Sequence, residues 1–158
     1  MNMKKKIQKY LSGEREGFSL IELIIVIAIM AILIGVIALV VLPYLESARE
    51  NRDRQTLSEV SNAFKSAMAD ETVAKQVGTF GWTVPSGTLL TKMESYMDGT
   101  VADAKSKLSS DACKNASGDP LDFLVTATKD ASGKWTLKAR IGTASAAATD
   151  SNGNAYEQ

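Results

Sequence analysis

A lone carboxylate, Glu22, stands four residues after an aromatic, Phe18, at the head of an uncharged run from Leu23 to Leu45. As a helix those 23 residues span about 35 Å, enough to cross a hydrocarbon core about 30 Å thick. A charge at the edge of such a run is costly, so it calls for a cationic partner or a proton. The other polar groupings have simpler accounts. Asp150, Asn152 and Asn154 alternate like the first ligands of a calcium loop, but Ala155 stands where that loop needs glycine, so a polar tail is the better reading. Lys134, Lys138 and Arg140 share one face of a strand and can meet DNA phosphates, although lysines on an exposed strand also serve to discourage edge pairing. Asn115-Ala116-Ser117 fits a glycosylation sequon.

Composition narrows the chemistry further. With one cysteine, Cys113, and no histidine, the chain has no internal disulfide, no His/Cys zinc site and no histidine-based triad. Cys113 reads as a small, partly buried thiol. No catalytic residue, cofactor or metal is assigned, and no enzymatic activity is expected. The 18 basic and 18 acidic residues balance but are unevenly placed. Residues 1–17 hold five basic and two acidic side chains, a net +3, and the rest of the chain is −3. A basic segment before an apolar run marks the cytoplasmic end of an inserted helix, so the remainder is expected to face outward.

An ordinary secretory signal is cut after its apolar region, at a small-x-small pattern. Here the apolar run begins directly after Gly17 and passes through Pro43 into a charged stretch. The string G-F-S-L-I-E at 17–22, after a basic leader and before a long apolar helix, resembles the class III signal of type IV prepilins and pseudopilins. That resemblance implies cleavage between Gly17 and Phe18 by the prepilin peptidase on the cytoplasmic side, then N-methylation of Phe18. Further implied partners are the membrane, an assembly platform with its ATPase motor, and other copies of the chain in a helical filament at the cell surface. DNA enters only through the cationic strand face. The function implied is that of a structural pilus subunit, with a pseudopilin of a secretion or competence system as the alternative. An anchored outer domain that never polymerises would leave Glu22 without a purpose. The lack of a C-terminal cysteine pair departs from many Gram-negative pilins and fits Gram-positive examples better.

Within the family, the glutamate of an incoming subunit is thought to meet the N-terminal amine of one already assembled, and methylation leaves that amine basic. Apolar helices gain little by leaving lipid for a bundle, so one buried opposite-charge pair can decide their axial register. The structural alternative is a contact between Glu22 and the start of its own helix, where an anion is favoured. Gly35 and Pro43 bracket a segment rich in β-branched residues, a weak zone for a helix. In assembled pili of this family a glycine-to-proline segment often melts. Here the eight-residue separation is kept, but the pair sits about one turn further from the glutamate.

These residues need a scaffold, and the expected class is α+β: a long N-terminal helix packed against a small antiparallel β-sheet. The sequence divides into a cleaved leader (1–17), a transmembrane or filament-core helix (18–45), an amphipathic continuation (46–74), a head (75–142) and a loosely attached tail (143–158). Leu57, Val60, Phe64 and Met68 form an apolar stripe that needs a covering partner. The charges at 46–54 read as a solvated collar at the membrane surface or as inter-subunit salt bridges. Residues 76–87, with three glycines and Pro85, read as a connecting loop whose Phe80, Trp82 and Val84 pack on the helix. Short helices are expected over Leu89–Met97 and Val101–Leu108, and a hairpin over 121–142 with its turn at Asp130–Gly133.

Overall fold

A computed structural model describes residues 18–158. The leader and Gly17 lie outside the described residues. The chain divides into two compact units, Met1–Leu42 and Pro43–Gln158. Helix α1, Leu20–Ala69, is 50 residues long and contributes to both. Its first part carries isoleucine, leucine and valine on every side, and those side chains are exposed. It runs without a break through Gly35 and Pro43, and open space surrounds the position a Cβ would take at Gly35. The weak-zone expectation concerns the assembled filament rather than this single chain.

The second unit has the expected α+β architecture. Along Pro43–Ala69 the buried positions include Leu57, Val60, Phe64, Ala67 and Met68, the predicted stripe. It lies in one core with Phe123, Val125, Ala127, Ala139 and Ile141 of the sheet. That sheet has three antiparallel strands in the order β1-β2-β3, with β1 at Phe80–Thr83, β2 at Asp122–Lys129 and β3 at Trp135–Gly142. The hairpin falls where alternation places it, with Val125 opposite Ala139 and Asp122 opposite Gly142.

Several boundaries differ from expectation, each for a physical reason. The long helix stops at Ala69 rather than Ala74. Asp70 takes an extended ψ of 113° and caps a separate helix α2, Glu71–Val77, its Oδ1 accepting from the Thr72 N–H at 3.0 Å. A short acidic side chain that can bond the next turn's backbone competes with helix continuation. Lys92 holds the other carboxylate oxygen at 3.0 Å. The two later helices are shorter than predicted: α3 is Gly87–Glu94 and α4 is Val101–Ser106, the latter opened by a capping box between Thr100 and Asp103.

The loop over 76–87 contains a strand, β1, and its aromatics part company. Phe80 pairs with Ala127 and packs edge-to-face on Phe64, ring centroids 6.3 Å apart. Register shifts between Phe80 and Thr83, and such a bulge re-aims the residues beyond it. Trp82 instead lies under the Arg140 guanidinium, 4.0 Å from its ring centroid. Leu124 is the register partner of Arg140 on that outer face and is itself buried, which accounts for the break it makes in the alternation of β2. Val84 stays largely exposed.

The tail is the largest correction. Residues 143–158 were expected to be loose, yet Ala139 and Ile141 donate to the carbonyls of Gln158 and Tyr156 at 2.7 and 3.0 Å. Ala148 and Tyr156 add bonds to Ile141 and Ala148, each near 3 Å. Tyr156 is completely buried in the core. Gly142 lets the chain fold back here, since a Cβ on it would sit 2.3 Å from the Ala146 carbonyl oxygen. One aromatic and a paired backbone anchor a segment whose composition looks disordered.

Candidate functional site

Phe18 and Ser19 precede the first helical residue, Leu20. Phe18 is 88% exposed. The Glu22 carboxylate reaches back one turn, and its Oε2 accepts the Ser19 N–H at 2.8 Å. This is the glutamate arm of a capping box, satisfying one of the backbone donors left free at a helix start. Of the two expectations for Glu22, the local contact is the one seen here. In the single chain it makes the local contact with its own helix terminus. That bond engages one oxygen and leaves Oε1 available. Beyond Glu22 no charged residue occurs before Glu46, and α1 is long and apolar enough to cross a membrane.

An exposed aromatic before a capped, apolar, membrane-length helix is the arrangement consistent with the class of membrane-anchored precursors. Residues 14–42 match the family model of the prokaryotic N-terminal methylation motif. The chain therefore carries the class III signal of type IV pilins and pseudopilins. No curated protein and no solved structure matches the chain. The match spans Phe18 and Glu22 and, on the N-terminal side, Gly17.

The charges at 46–54 do not form a simple solvated collar. Most are spent inside the head, tying loops to the helix. Asp53, fully buried, accepts the N–H groups of Ser109 and Ser110 at 3.0 and 2.9 Å, together with the Ser110 hydroxyl. Glu50 accepts from the Ser151 N–H at 2.8 Å and its hydroxyl at 3.1 Å, and Glu46 accepts the Asp111 N–H at 2.7 Å. Arg54 pairs with Asp150 at 2.7 Å and lies 4.5 Å from the Tyr156 ring centroid. Buried carboxylates survive because several donors converge on each. A sequence signal for this was present: Glu50, Asp53, Leu57, Val60 and Phe64 follow helical spacing, so two acids continue the buried stripe.

The remaining candidates are structural in this setting. Asp150 folds its own turn, accepting the N–H groups of Asn152 and Asn154 at 2.9 and 2.8 Å. Its carboxyl titrates at about 2: burial acts to raise it, and the Asn154 N–H and the Arg54 guanidinium outweigh that. Asn152 and Asn154 therefore shape a turn that already holds a cation, the guanidinium. Among the described residues no cluster of acidic, cysteine and histidine side chains has metal-binding geometry. The cationic strand face is divided: Lys138 pairs with Glu157 at 2.9 Å, and Arg140 is buried, donating to the carbonyls of Thr143 and Ala144 at 2.7 Å each. Only Lys134 of the three is left exposed without a side-chain partner among the described residues. Asn115 is exposed, and its side chain closes a turn onto the N–H groups of Ser117 and Asp119 at 2.9 Å each. Cys113 is fully buried, and burial pushes its thiol up to about 12.

Proposed function

We propose that the chain is a structural, non-enzymatic subunit of a type IV pilus filament, made as a membrane-anchored precursor with its head outside. The observation that carries this reading is Glu22, a single acid capping an exposed apolar helix inside the methylation motif. Prepilin peptidase cuts between Gly17 and Phe18, and the new amine is methylated. Assembly then moves the apolar helix from lipid into the filament core, driven by an assembly platform and its motor. Little hydrophobic energy separates those two surroundings, so specific contacts set the register. The free Oε1 of Glu22 is suited to take the Phe18 amine of a neighbour while Oε2 keeps its own helix capped.

Mass spectrometry on filaments sheared from the cell surface tests this reading. N-methyl-Phe18 as the N-terminus of the bulk filament protein is the expected result. A full-length N-terminus in that fraction overturns it, and processed chain confined to the membrane fraction would point to a pseudopilin instead.

A further inference from the structure

The face of α1 opposite the buried stripe is polar and exposed in the head unit: Arg52, Gln55, Glu59, Asn62 and Ser66. These residues recur at intervals of three and four, so they line one side of the helix. Arg49, Arg54, Glu46, Glu50 and Asp53 are all engaged within the head. Arg52 and Glu59 are not: neither side chain takes part in a hydrogen bond or ion pair among the described residues. They are two turns apart, about 10.5 Å along the axis, which is too far for the helix to pair them directly.

We infer that this stripe is a contact surface for a second copy of the same chain, with Glu59 of one subunit meeting Arg52 of its neighbour. Two parallel copies offset by about two helical turns bring these opposite charges level. The order of charges supports the assignment. Glu22 follows the Phe18 amine in the chain, and Glu59 follows Arg52. A copy displaced in the sense that lets Glu22 reach a neighbour's amine is thus displaced in the sense that lets Glu59 reach the neighbour's Arg52. The two offsets, about 6 and 10.5 Å, differ by less than the combined reach of an arginine and a glutamate side chain. An exposed ion pair is weak by itself, but in a filament it recurs at every subunit, and like charges placed there oppose every addition.

The inference rests on the filament reading above, and charge reversal separates the two. In cells making the full chain, R52E and E59R alone should each lower sheared filament yield about tenfold or more, through like-charge juxtaposition at each contact. Cleavage at Phe18 should stay normal, and Cys113 should stay unreactive to thiol reagents, showing an intact head. The double reversal R52E/E59R should restore filaments. So should co-expression of the two single variants, because alternating copies again oppose unlike charges. Full yield from both single variants, or no recovery in either rescue, overturns the contact while filaments of the parent chain leave the pilus reading standing. A parent chain that is processed but forms no filament defeats that reading and the contact with it.

Discussion

The two parts of α1 are made of one continuous helix but finished in different ways. Between Leu20 and Leu42 the side chains are apolar on all sides and exposed, and only Glu22 breaks the pattern. Between Pro43 and Ala69 one side is buried under a sheet and the other is polar. A helix that is apolar all round must be covered by something outside its own chain, either lipid or other copies. A helix with one apolar stripe is completed by its own head. Acidic residues show the same contrast. Glu22 has one backbone partner and a free oxygen, whereas Asp53 is saturated by loop donors. An acid with spare capacity is suited to a partner, and a saturated acid is suited to holding a fold.

The sharpest way to break this contrast is Glu22→Ala. It should leave cleavage after Gly17 and the thermal stability of the head unchanged while removing the chain from filaments almost completely. Immunoblots of sheared and membrane fractions, with denaturation of detergent-solubilised chain, read both sides at once. Normal filament yield would sink the register role of Glu22, and a destabilised head would erase the distinction between the two parts.

Tyr156→Ala acts on the opposite part. It removes the one large apolar side chain of the C-terminal segment and opens a cavity beside Cys113, at a cost of about 3–5 kcal/mol. Chemical denaturation should show that loss, and Cys113 should become reactive to a thiol reagent at neutral pH without denaturant. Processing at Phe18 should be unaffected. A Cys113 that stays unreactive would mean that the tail does not seal the core.

pH gives the smallest and most graded effect, and it concerns the head alone. The Asp150 carboxyl is lowered from 3.8 to about 2. Its contribution is therefore present above about pH 4 and is lost as pH falls through that interval. Burial raises Cys113 from 9.0 to about 12 and moves the Tyr156 phenol upward as well. Their neutral forms favour the fold, so stability is full below about pH 9 and declines as pH rises beyond it. Melting temperature should show a plateau from about pH 4 to 9. In Arg54→Ala that plateau should lie lower and its fall on the acid side should be shallower, because the Asp150 carboxyl moves back toward its ordinary value. Unchanged acid behaviour in that variant would remove Arg54–Asp150 from the account.

Much of this was legible before any coordinates. The membrane-length helix, the class III motif, the Leu57–Met68 stripe and the 121–142 hairpin all rest on local pattern, because period and uninterrupted apolarity are written in neighbouring residues. Glu22 belongs with them, since its cap partner is three residues away. The misreadings depend on distant partners. Charges at 46–54 look solvated until Ser109, Ser110 and Ser151 are brought against them from 56 to 101 residues away. Trp82 follows Phe80 in the alternation until a register shift sends it to Arg140. The last sixteen residues carry almost no apolar signal, and Tyr156 is anchored only because β3 offers an unpaired edge and the core a vacancy of its size. Local spacing determined by itself the membrane-length apolar helix and the methylation motif at its head. Only tertiary packing decided which charges are spent within the head and which stay exposed without a partner among the described residues, because pairing across the chain depends on a geometry that no stretch of sequence contains.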